Sequence, residues 1–486
     1  MSSYFTDLAQ QYIDGEWRPG SGSWDIIDFN PYDGEKLASI TIATVDEIDQ
    51  AYRAAERAQH GWAEASAFAR RAVMEKALRL VEEREGEIAE AIIAELGGTR
   101  VKAGFELHLA KEFLRESINL TTRPEVSLVP SPVDTKENRL YRLPVGVVGV
   151  ISPFNFPFLL SLKSVAPALA IGNGVVLKPH QDTPVCGGSL VAKIFEDAGL
   201  PPGLLNVIIT DIAEVGDAFI EHPVPKVISF TGSDKVGRHV ATVCAGNFKR
   251  SILELGGNSA LVVLEDADID YAVDAAVFSR YVHQGQVCMA ANRVLVDRSI
   301  SDEFTEKFVA KVRSLKTGDP SDPETVIGPV INSSQAEAIS ATVEQAIADG
   351  ATALVHGVTR DNLVEPSVLT DVAADSPLLR QEVFGPVAFL VLFDGEEEAV
   401  RLVNDTPYGL SGAVHTGDVE RGVRFAQRID TGMFHVNDGT VHDEPLVPFG
   451  GEKNSGVGRL NGETMVEAFT TLKWISVQHG RSGFPF

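Results

Sequence analysis

The sequence predicts an α/β protein with two doubly wound parallel sheets and a separate β arm. Two stretches of the chain, 145–230 and 260–437, alternate short apolar strands with helical segments. Such alternation is typical of units in which a helix crosses between neighbouring parallel strands. Residues 123–144 differ, because they contain four prolines among alternating apolar residues. This pattern indicates an extended hairpin or arm.

Each element follows from local patterning. Residues 45–118 predict helix, because they are rich in Ala, Glu and Arg and space apolar residues three and four positions apart. In the first alternating stretch we expect helices near 184–198 and 213–221 and the strands Val145–Ile151, Val175–Leu177, Leu205–Ile209 and Val227–Phe230. In the second we expect the helices 268–281, 301–315 and 334–349 and the strands Ala291–Val296, 388–393 and 433–437. The tail predicts one more strand, Leu472–Val477.

Composition restricts the class of protein. A chain of 486 residues, 44% hydrophobic and 23% charged, predicts two to four domains that bury a sizeable core. Its net charge of −26 argues against a nucleic acid or an anionic membrane as partner. Three cysteines do not form a disulfide framework and suit a reducing compartment. Neither a leader peptide nor a membrane-spanning run is visible, so we expect a cytoplasmic protein.

Cys288 and Glu254 are candidates for covalent chemistry. Cys288 lies in a segment that contains Gly285, and glycine permits the close approach of another group. Cys186 and Cys244 are expected to be buried and inert. Glu254 stands between two leucines at the end of an apolar strand, where desolvation would raise its carboxyl pKa and create a general base near neutral pH. The alternative is a strand-end glutamate with a salt-bridge partner.

Asn155 is a candidate oxyanion donor. It lies in the stretch Pro153–Pro157, where two prolines stiffen the loop and two aromatic residues flank the amide. An amide held in this way can donate to a negative charge that develops on oxygen. A turn-forming asparagine is the alternative interpretation.

Residues for a dinucleotide are less evident. The fingerprint GxGxxG is absent, since Gly172-Asn173-Gly174 lacks the third glycine. Phe230–Ser233 instead ends a strand and begins a helix, and backbone N–H groups at a helix start can hold a phosphate. An ordinary strand-to-helix turn would look the same. Lys178 follows a strand at the edge where ligands bind in open sheets and can reach ribose hydroxyls, unless it is a solvated surface lysine.

Seven stretches occur in a recognisable order, and they make the chain resemble the NAD(P)-dependent aldehyde dehydrogenase superfamily over nearly its whole length. The spacing of 34 residues between Glu254 and Cys288 agrees with that family. The matching stretches are the Asn155 loop, Lys178-Pro179, Phe230–Ser233, Glu254–Gly257, the Cys288 segment, Glu382–Pro386 and Pro448–Gly451.

The resemblance implies catalytic roles. A thiolate of Cys288 attacks the aldehyde carbon, and Asn155 with the backbone N–H of Cys288 holds the oxyanion. After hydride transfer, Glu254 activates water to hydrolyse the thioester, and it is also a candidate for deprotonating the thiol earlier. No metal is expected.

The resemblance also implies how NAD or NADP binds. Lys178 and Glu382 hold the two riboses, Gly232 and Ser233 face the pyrophosphate, and Phe384 packs near the nicotinamide. The other expected cofactor contacts are Ser152, Phe154, Gln181, Gly237 and Leu255.

Three domains are implied as well. Residues 1–122 and 145–254 would form a Rossmann-like dinucleotide-binding domain, and 255–460 the catalytic domain. Residues 123–144 and 461–486 would form an oligomerisation arm that reaches a neighbouring subunit, so a homodimer or homotetramer is expected.

Gln181 departs from the family pattern, because NAD-preferring members carry glutamate at this position. A neutral amide still binds ribose and does not repel a 2′-phosphate, so we predict appreciable use of NADP.

The substrate is predicted from the pocket. Asn437–Pro445 looks like the corresponding stretch of benzaldehyde, vanillin and salicylaldehyde dehydrogenases. Without an evident Arg or Lys to bind a carboxylate or phosphate, an apolar wall favours an aromatic or apolar aldehyde over succinate semialdehyde or a sugar phosphate. His442 and Asp443 could touch a ring hydroxyl, or could form a solvated loop pair. The expected wall residues are Leu159, Val287, Met289, Val441, Leu446 and Phe449.

Other activities compete with this hypothesis. An aliphatic aldehyde or a semialdehyde would use the same machinery. Enzymes that pass the thioester to coenzyme A generally lack the base that Glu254 supplies. A catalytically silent structural homologue would not need Cys288, Glu254 and Asn155 together, and ester hydrolysis by the same thiolate would need no cofactor.

Overall fold

The computed structural model describes residues 4–123 and 125–486. Residues 1–3 of the first predicted domain and Pro124 of the predicted arm lie outside the described residues. The first sheet of the protein has eight strands. In spatial order they are Glu16–Arg18, Gln11–Ile13, Leu205–Val207, Gly174–Lys178, Val147–Ile151, Val227–Thr231, Arg250–Glu254 and Gly456–Val457.

The five central strands of this sheet are parallel. Among these five, Val147–Ile151 comes first in the chain, and Gly174–Lys178 and Leu205–Val207 follow it on one side. The chain then returns to add Val227–Thr231 and Arg250–Glu254 on the other side. This order reverses between Val147–Ile151 and Val227–Thr231. A crevice for ligands opens at the carboxyl ends of the strands where such a reversal occurs.

The second sheet has seven strands and is parallel except at one edge, where Thr352–Val355 runs antiparallel to Ser367–Thr370. Its strands are, in spatial order, Thr352–Val355, Ser367–Thr370, Val387–Phe393, Ala291–Asp297, Ser259–Val263, Gly412–His415 and His435–Val436. The prediction of two parallel α/β sheets is confirmed.

A third sheet contains the predicted arm. Lys136–Pro144 is its central strand and pairs antiparallel with Val126–Val129 and with Thr470–Gln478. The remaining strands form three small pairs: Asp25–Phe29 with Lys36–Thr41, Thr359–Arg360 with Leu363–Val364, and Tyr408–Gly409 with Glu452–Lys453.

Helices cover the sheets. The N-terminal helical region is divided in four by three breaks. Ser66 and Thr99 cap new helices, Gly97 ends one in a left-handed conformation (φ 70°), and Arg84 stands outside helical geometry between two others. The α-helices are Tyr4–Asp7, Val45–Glu64, Ala67–Glu83, Glu85–Leu96, Arg100–Leu120, Pro157–Ile171, Leu190–Ala198, Ile212–Val215, Ala218–Glu221, Asp234–Gly246, Ile269–Tyr281, Ser301–Arg313, Ser333–Ala348, Glu396–Asn404, Val419–Ala426 and Gly462–Phe469. Single turns of other helix types lie at Val185–Ser189, Val282–Gly285, Arg298–Ile300 and Pro377–Leu379.

The predicted arm segment 461–486 differs in part from expectation. It begins with the helix Gly462–Phe469, whose Met465, Val466 and Phe469 join the core beneath the first sheet. Only Thr470–Gln478 extends the arm. Within residues 4–123 and 125–486, no helix combines the length and the apolar character needed to cross a membrane.

Candidate active site

Four predicted site residues lie at the carboxyl edge of the first sheet. Lys178 and Glu254 are the last residues of their strands. Ser152 and Gly232 follow the two central strands directly. The chain then passes from Glu254 through residues 255–258 into the second sheet, so this link leads from the crevice edge of the first sheet directly to the second.

Cys288 lies between the turn Val282–Gly285 and the second-sheet strand Ala291–Asp297, and its side chain is half-buried. A Cβ on Gly257 would stand 2.3 Å from the backbone oxygen of Cys288, so only glycine fits there. Burial first, and then the nearby Glu382 and Glu254, raise the pKa of the Cys288 thiol to about 12. The predicted thiolate therefore forms only when a base removes the proton.

Glu254 is buried, and neither of its carboxylate oxygens has a hydrogen-bond partner among the described residues. Burial raises the pKa of Glu254 to about 8, while Lys163 and Arg459 oppose the shift. A Cβ on Gly450 would stand 2.9 Å from Oε1, so the glycine backbone walls the carboxyl group closely. The alternative of a salt-bridged strand-end glutamate is wrong, and the carboxyl group is suited to accept a proton near neutral pH.

Asn155 is buried, and its Nδ2 donates a 3.0 Å hydrogen bond to the backbone oxygen of Gln286. Gln286 lies two residues before Cys288, so this bond turns the NH2 group of the amide toward the cysteine segment. Nδ2 carries a second hydrogen, which is free to donate elsewhere. The contact crosses between the two sheets, which a local turn-forming asparagine would not do.

Two predicted cofactor residues form an aromatic contact. The rings of Phe154 and Phe384 meet edge to face with centroids 5.8 Å apart, and the ring of His180 meets that of Phe154 edge to face at 5.3 Å.

Two predicted ribose-binding residues are charged side chains whose pKa values are shifted by burial. Glu382 accepts a 2.9 Å bond from the backbone N–H of Gly257, and burial raises its pKa to about 7. Burial lowers the pKa of Lys178 to about 8, so this lysine is not an ordinary solvated one.

The expected phosphate turn is a capped helix start. Ser233 is the N-cap of Asp234–Gly246 and accepts from the backbone of Val236 at 3.4 Å. A Cβ on Gly237 would stand 2.3 Å from the Leu255 side chain, so the helix approaches the link between the sheets closely. This geometry leaves backbone N–H groups at the helix start directed at the crevice.

The other predicted cofactor residues lie on the same side. Gln181 is exposed in the turn after Lys178. Ser152 is buried and accepts a 2.8 Å bond from the Ser161 hydroxyl. Together with the residues above, they provide charged, amide and backbone donors that fit the riboses and phosphates of a dinucleotide.

Five of the six predicted wall residues belong to one apolar cluster, against which Cys288 packs. They are Leu159, Val287, Met289, Val441 and Phe449. Leu446 does not belong to this cluster. Its side chain is 66% exposed, because it stands on a turn whose backbone lies against Gly462.

Sequence reasoning missed a buried ion pair in this wall. Lys163 Nζ lies 2.6 Å from a carboxylate oxygen of Asp443 and 3.6 Å from the centroid of the Phe449 ring. The expectation of a wall without a lysine is therefore corrected. Asp443 is buried and also accepts a 2.8 Å bond from Asn461, so it is not solvated, whereas His442 is exposed and bonds Glu444.

Arg280 is a second residue that the sequence did not indicate. It is fully buried and donates to the backbone oxygens of Gly285 at 2.9 Å and Gly385 at 2.7 Å. It thereby ties the segment before Cys288 to the segment that contains Glu382 and Phe384. The signal was available only as a charged residue at the end of an apolar helix.

Cys186 and Cys244 are buried, as predicted. Burial raises the thiol pKa of both, to about 11 for Cys244 and well above the ordinary value for Cys186. Cys288 is the one cysteine of the described chain that is not fully buried.

A family model described as "Aldehyde dehydrogenase family" matches residues 17–475. The chain belongs to this family. It is an aldehyde dehydrogenase, as the sequence predicts.

Individual aldehyde dehydrogenases are similar to this chain over nearly its whole length. A benzaldehyde dehydrogenase of Bacillus subtilis, YfmT, is 57% identical over 482 residues, which are 99% of each chain. A vanillin dehydrogenase of Corynebacterium glutamicum is 47% identical over 97% of this chain and 98% of its own length. The crystal structure of an NAD-dependent benzaldehyde dehydrogenase from Corynebacterium glutamicum is 44% identical, with a TM-score of 0.89 over 97% of this chain and 98% of its own.

Proposed function

We propose that this aldehyde dehydrogenase oxidises an aromatic aldehyde of the benzaldehyde or vanillin type to its carboxylic acid, with Cys288 as nucleophile. The proposal rests on one observation. A partly accessible thiol and a buried carboxyl group without a hydrogen-bond partner among the described residues lie close enough for the carboxylate charge to raise the pKa of the thiol. Beside them is an amide whose N–H is aimed at the cysteine segment.

The first chemical step uses Cys288 and Asn155. Glu254, when ionised, accepts the thiol proton, and the sulfur attacks the aldehyde carbon to give a thiohemiacetal. The free hydrogen on Asn155 Nδ2 and the backbone N–H of Cys288 donate to the oxygen on which negative charge develops. Their orientation is set before substrate binds, because the Asn155 amide is already bonded to Gln286.

A nicotinamide dinucleotide bound in the crevice supplies the hydride acceptor. Lys178 and Glu382 would hold its riboses, and the helix start at Gly232 and Ser233 its pyrophosphate. Phe384 would pack near the nicotinamide, and Phe154, Ser152, Gln181, Gly237 and Leu255 complete the expected contacts. Because Gln181 carries no negative charge, we propose that the enzyme uses NADP as well as NAD.

The thioester that remains on Cys288 is released by hydrolysis. After Glu254 has released the thiol proton to solvent, it takes a proton from water, which attacks the thioester carbon. The C–S bond then breaks, the acid is freed, and the Cys288 thiolate is the leaving group. A carboxyl group with a pKa of about 8 is well matched to this task near neutral pH.

The aromatic substrate class is supported by the wall. Its apolar residues carry no unpaired charge, since Asp443 neutralises Lys163. Such a wall favours a flat apolar ring over an anionic aldehyde. The benzaldehyde and vanillin dehydrogenases named above support the same class.

The decisive experiment measures cofactor reduction with benzaldehyde by the wild type, Cys288→Ala and Glu254→Gln. We expect no turnover by Cys288→Ala. Glu254→Gln should form the thioester slowly, because the thiol loses its proton less readily, and should then stall after about one equivalent of reduced cofactor, because no base activates water for hydrolysis. A folded Cys288→Ala variant with the wild-type rate would overturn the proposal, and a panel of aromatic, aliphatic and semialdehyde substrates ranked by kcat/KM tests the substrate class.

We further propose a homodimer or homotetramer of a cytoplasmic protein, built from the three domains set out above. The outer strands of the arm have unpaired edges, and Leu128 and Trp474 are 71% and 67% exposed on it. Exposed apolar residues on an open sheet favour burial by another subunit. Light scattering of the purified protein gives the subunit number, and removal of residues 470–486 should reduce it.

A further inference from the structure

The residues just before Cys288 have an unusual backbone. His283 and Gln284 have φ angles of 52° and 55°, and Gly285 has 73°, so three consecutive residues are left-handed. Left-handed conformations of residues other than glycine are uncommon and persist where the surroundings hold them in place. The strain lies five to three residues before the nucleophile.

The side chain of His283 is the part of this turn that faces the Asn155 loop. It is buried, and its ring meets the ring of Phe156, the residue after Asn155, at a centroid distance of 5.4 Å. Neither ring nitrogen makes a hydrogen bond of good geometry within the described chain. Burial and the charge of Lys102 hold the pKa of His283 well below its usual value, and the nearby backbone of Asn155 opposes them.

Lys102 closes the other side of Phe156. Its Nζ lies 4.5 Å from the centroid of the Phe156 ring, and it is paired with Glu106 in the core. Glu106 in turn accepts a 3.1 Å bond from the backbone N–H of Leu159, at the start of the helix that follows the Asn155 loop. Lys102 and Glu106 therefore contact the loop and the helix after it from the helix Arg100–Leu120, and His283 contacts the loop from the turn before Cys288.

The strained turn and the Asn155 loop meet at two points. One is the hydrogen bond from Asn155 Nδ2 to the backbone oxygen of Gln286, and the other is the His283 ring against Phe156, the residue after Asn155. The first contact sets the direction of the amide that donates to the oxyanion. The second fixes the distance between the backbone of the Asn155 loop and the backbone of the turn that precedes Gln286.

We propose that His283 is a positioning residue, which holds the Asn155 backbone so that the amide bonds Gln286 and aims its second hydrogen at the oxyanion. This inference rests on the proposed role of Asn155 as oxyanion donor. Loss of the ring lets the loop move relative to Gln286, and a displacement near 1 Å is enough to weaken catalysis on the order of 100-fold.

A double-mutant cycle of His283→Asn and Asn155→Ala tests it. Asparagine tolerates the left-handed backbone but lacks the ring, so the turn keeps a permitted conformation. We expect His283→Asn to slow the first turnover of cofactor reduction roughly 10- to 100-fold, which is less than or equal to the smallest loss, about 100-fold, that removal of an oxyanion donor produces. In the Asn155→Ala background the same change should slow it less than two-fold, since no amide remains to be aimed.

Gln284→Asn is the matched control. Gln284 is left-handed in the same turn, but its side chain donates to the backbone oxygens of Gly97 and Pro329 and not to the Asn155 loop. Whatever factor Gln284→Asn costs should be equal in both backgrounds. The dissociation constant for NAD, measured by fluorescence, should change less than about ten-fold in every variant, because, of the expected cofactor contacts, only Phe154 lies in the Asn155 loop.

Each outcome has one meaning. If His283→Asn slows the reaction by the same factor with and without Asn155, the ring acts on the fold in general and the inference is wrong. If His283→Asn leaves the rate unchanged, the inference is also wrong. If Asn155→Ala itself keeps the wild-type rate, the oxyanion role of Asn155 fails instead. A third variant, His283→Gly, relieves the strain and separates backbone conformation from the ring, and it should be as slow as His283→Asn.

Discussion

Lys163 and Asp443, 280 residues apart in the chain, form an ion pair of 2.6 Å inside the wall of the active site, with side chains only 1% and 7% exposed. The pair is neutral as a whole, but its two charges act on Glu254 in opposite directions. Lys163 lowers the pKa of Glu254 and Asp443 raises it. The same opposition applies to Cys288.

Replacement of Lys163 by methionine should make Glu254 a weaker acid. The lysine charge that lowers the pKa of Glu254 is lost, while Asp443 remains and raises it. We expect the acid limb of the pH–rate profile to move upward by about one unit, which is about 1.4 kcal/mol. At pH 7 the rate of thioester hydrolysis should fall several-fold and recover in alkaline buffer.

Lys163→Arg keeps the charge, and its acid limb should stay near that of the wild type. Lys193→Met removes a lysine from a surface ion pair with Glu196 and should leave the profile unchanged. An acid limb of Lys163→Met that stays in place or moves to lower pH would contradict the electrostatic role of Lys163.

Burial of Glu254 should cost the protein stability at alkaline pH. The pKa of Glu254 is about 8 in the folded protein against 4.5 for an ordinary glutamate, so the folded chain keeps a proton that the unfolded chain loses. Stability therefore falls as pH rises from about 4.5 to 8 and levels off above. Glu254→Gln removes this loss, and its Tm should exceed that of the wild type by several degrees at pH 8.

At pH 4.5 the two melting temperatures should be nearly equal, since Glu254 is protonated in the folded chain and only half ionised in the unfolded chain, a difference of about 0.4 kcal/mol. Glu214→Gln, at an exposed position, is the control and should follow the wild type at every pH. A Tm difference for Glu254→Gln that is the same at pH 4.5 and pH 8 would show that ionisation of this carboxyl group is not the cause. Scanning calorimetry provides the measurement.

The alternation of sheets and helices was predictable because each parallel strand is a short apolar run between Gly or Pro residues. Three errors have local causes. The strand Gly412–His415 contains only two apolar residues, so its pattern was too weak to be noticed. The breaks at Ser66 and Thr99 depend on side-chain caps inside a helical pattern, and the helix Gly462–Phe469 was hidden in a segment assigned to the arm.

The residues of the site likewise fall into those that the sequence predicts and those that it does not. Cys288, Glu254 and Asn155 could be proposed because their short motifs concentrate chemistry, and Glu254 stands in an apolar context that already implies desolvation. Lys163 was visible as a lone lysine in the apolar helix Pro157–Ile171. Its partner could not be inferred, because nothing local links it to Asp443, and the left-handed turn at His283 leaves no trace in composition.

Gly257 should tolerate no side chain. A Cβ there would stand 2.3 Å from the backbone oxygen of Cys288, and backbone atoms cannot move aside cheaply. We expect Gly257→Ala to displace the nucleophile and to lower kcat on the order of 100-fold. Steady-state kinetics measures this loss.

Gly104→Ala is its control. Gly104 lies inside the helix Arg100–Leu120, and a Cβ there meets nothing within 4 Å. This variant should keep full activity and gain about 0.5–1 kcal/mol of stability, the usual advantage of alanine over glycine in a helix. Equal activity of the two variants would contradict the prediction, because it would show that the backbone around Cys288 moves to accommodate the added Cβ without loss of catalysis.

Gln181→Glu should narrow the choice of cofactor. Gln181 lies in the exposed turn after Lys178, where a carboxylate would repel the 2′-phosphate of NADP but still accept from a ribose hydroxyl. We expect the kcat/KM for NADP to fall at least about ten-fold, which is about 1.4 kcal/mol, while that for NAD changes little. Wild-type enzyme that prefers NAD by more than about 100-fold, or about 2.7 kcal/mol, would contradict the proposed use of NADP.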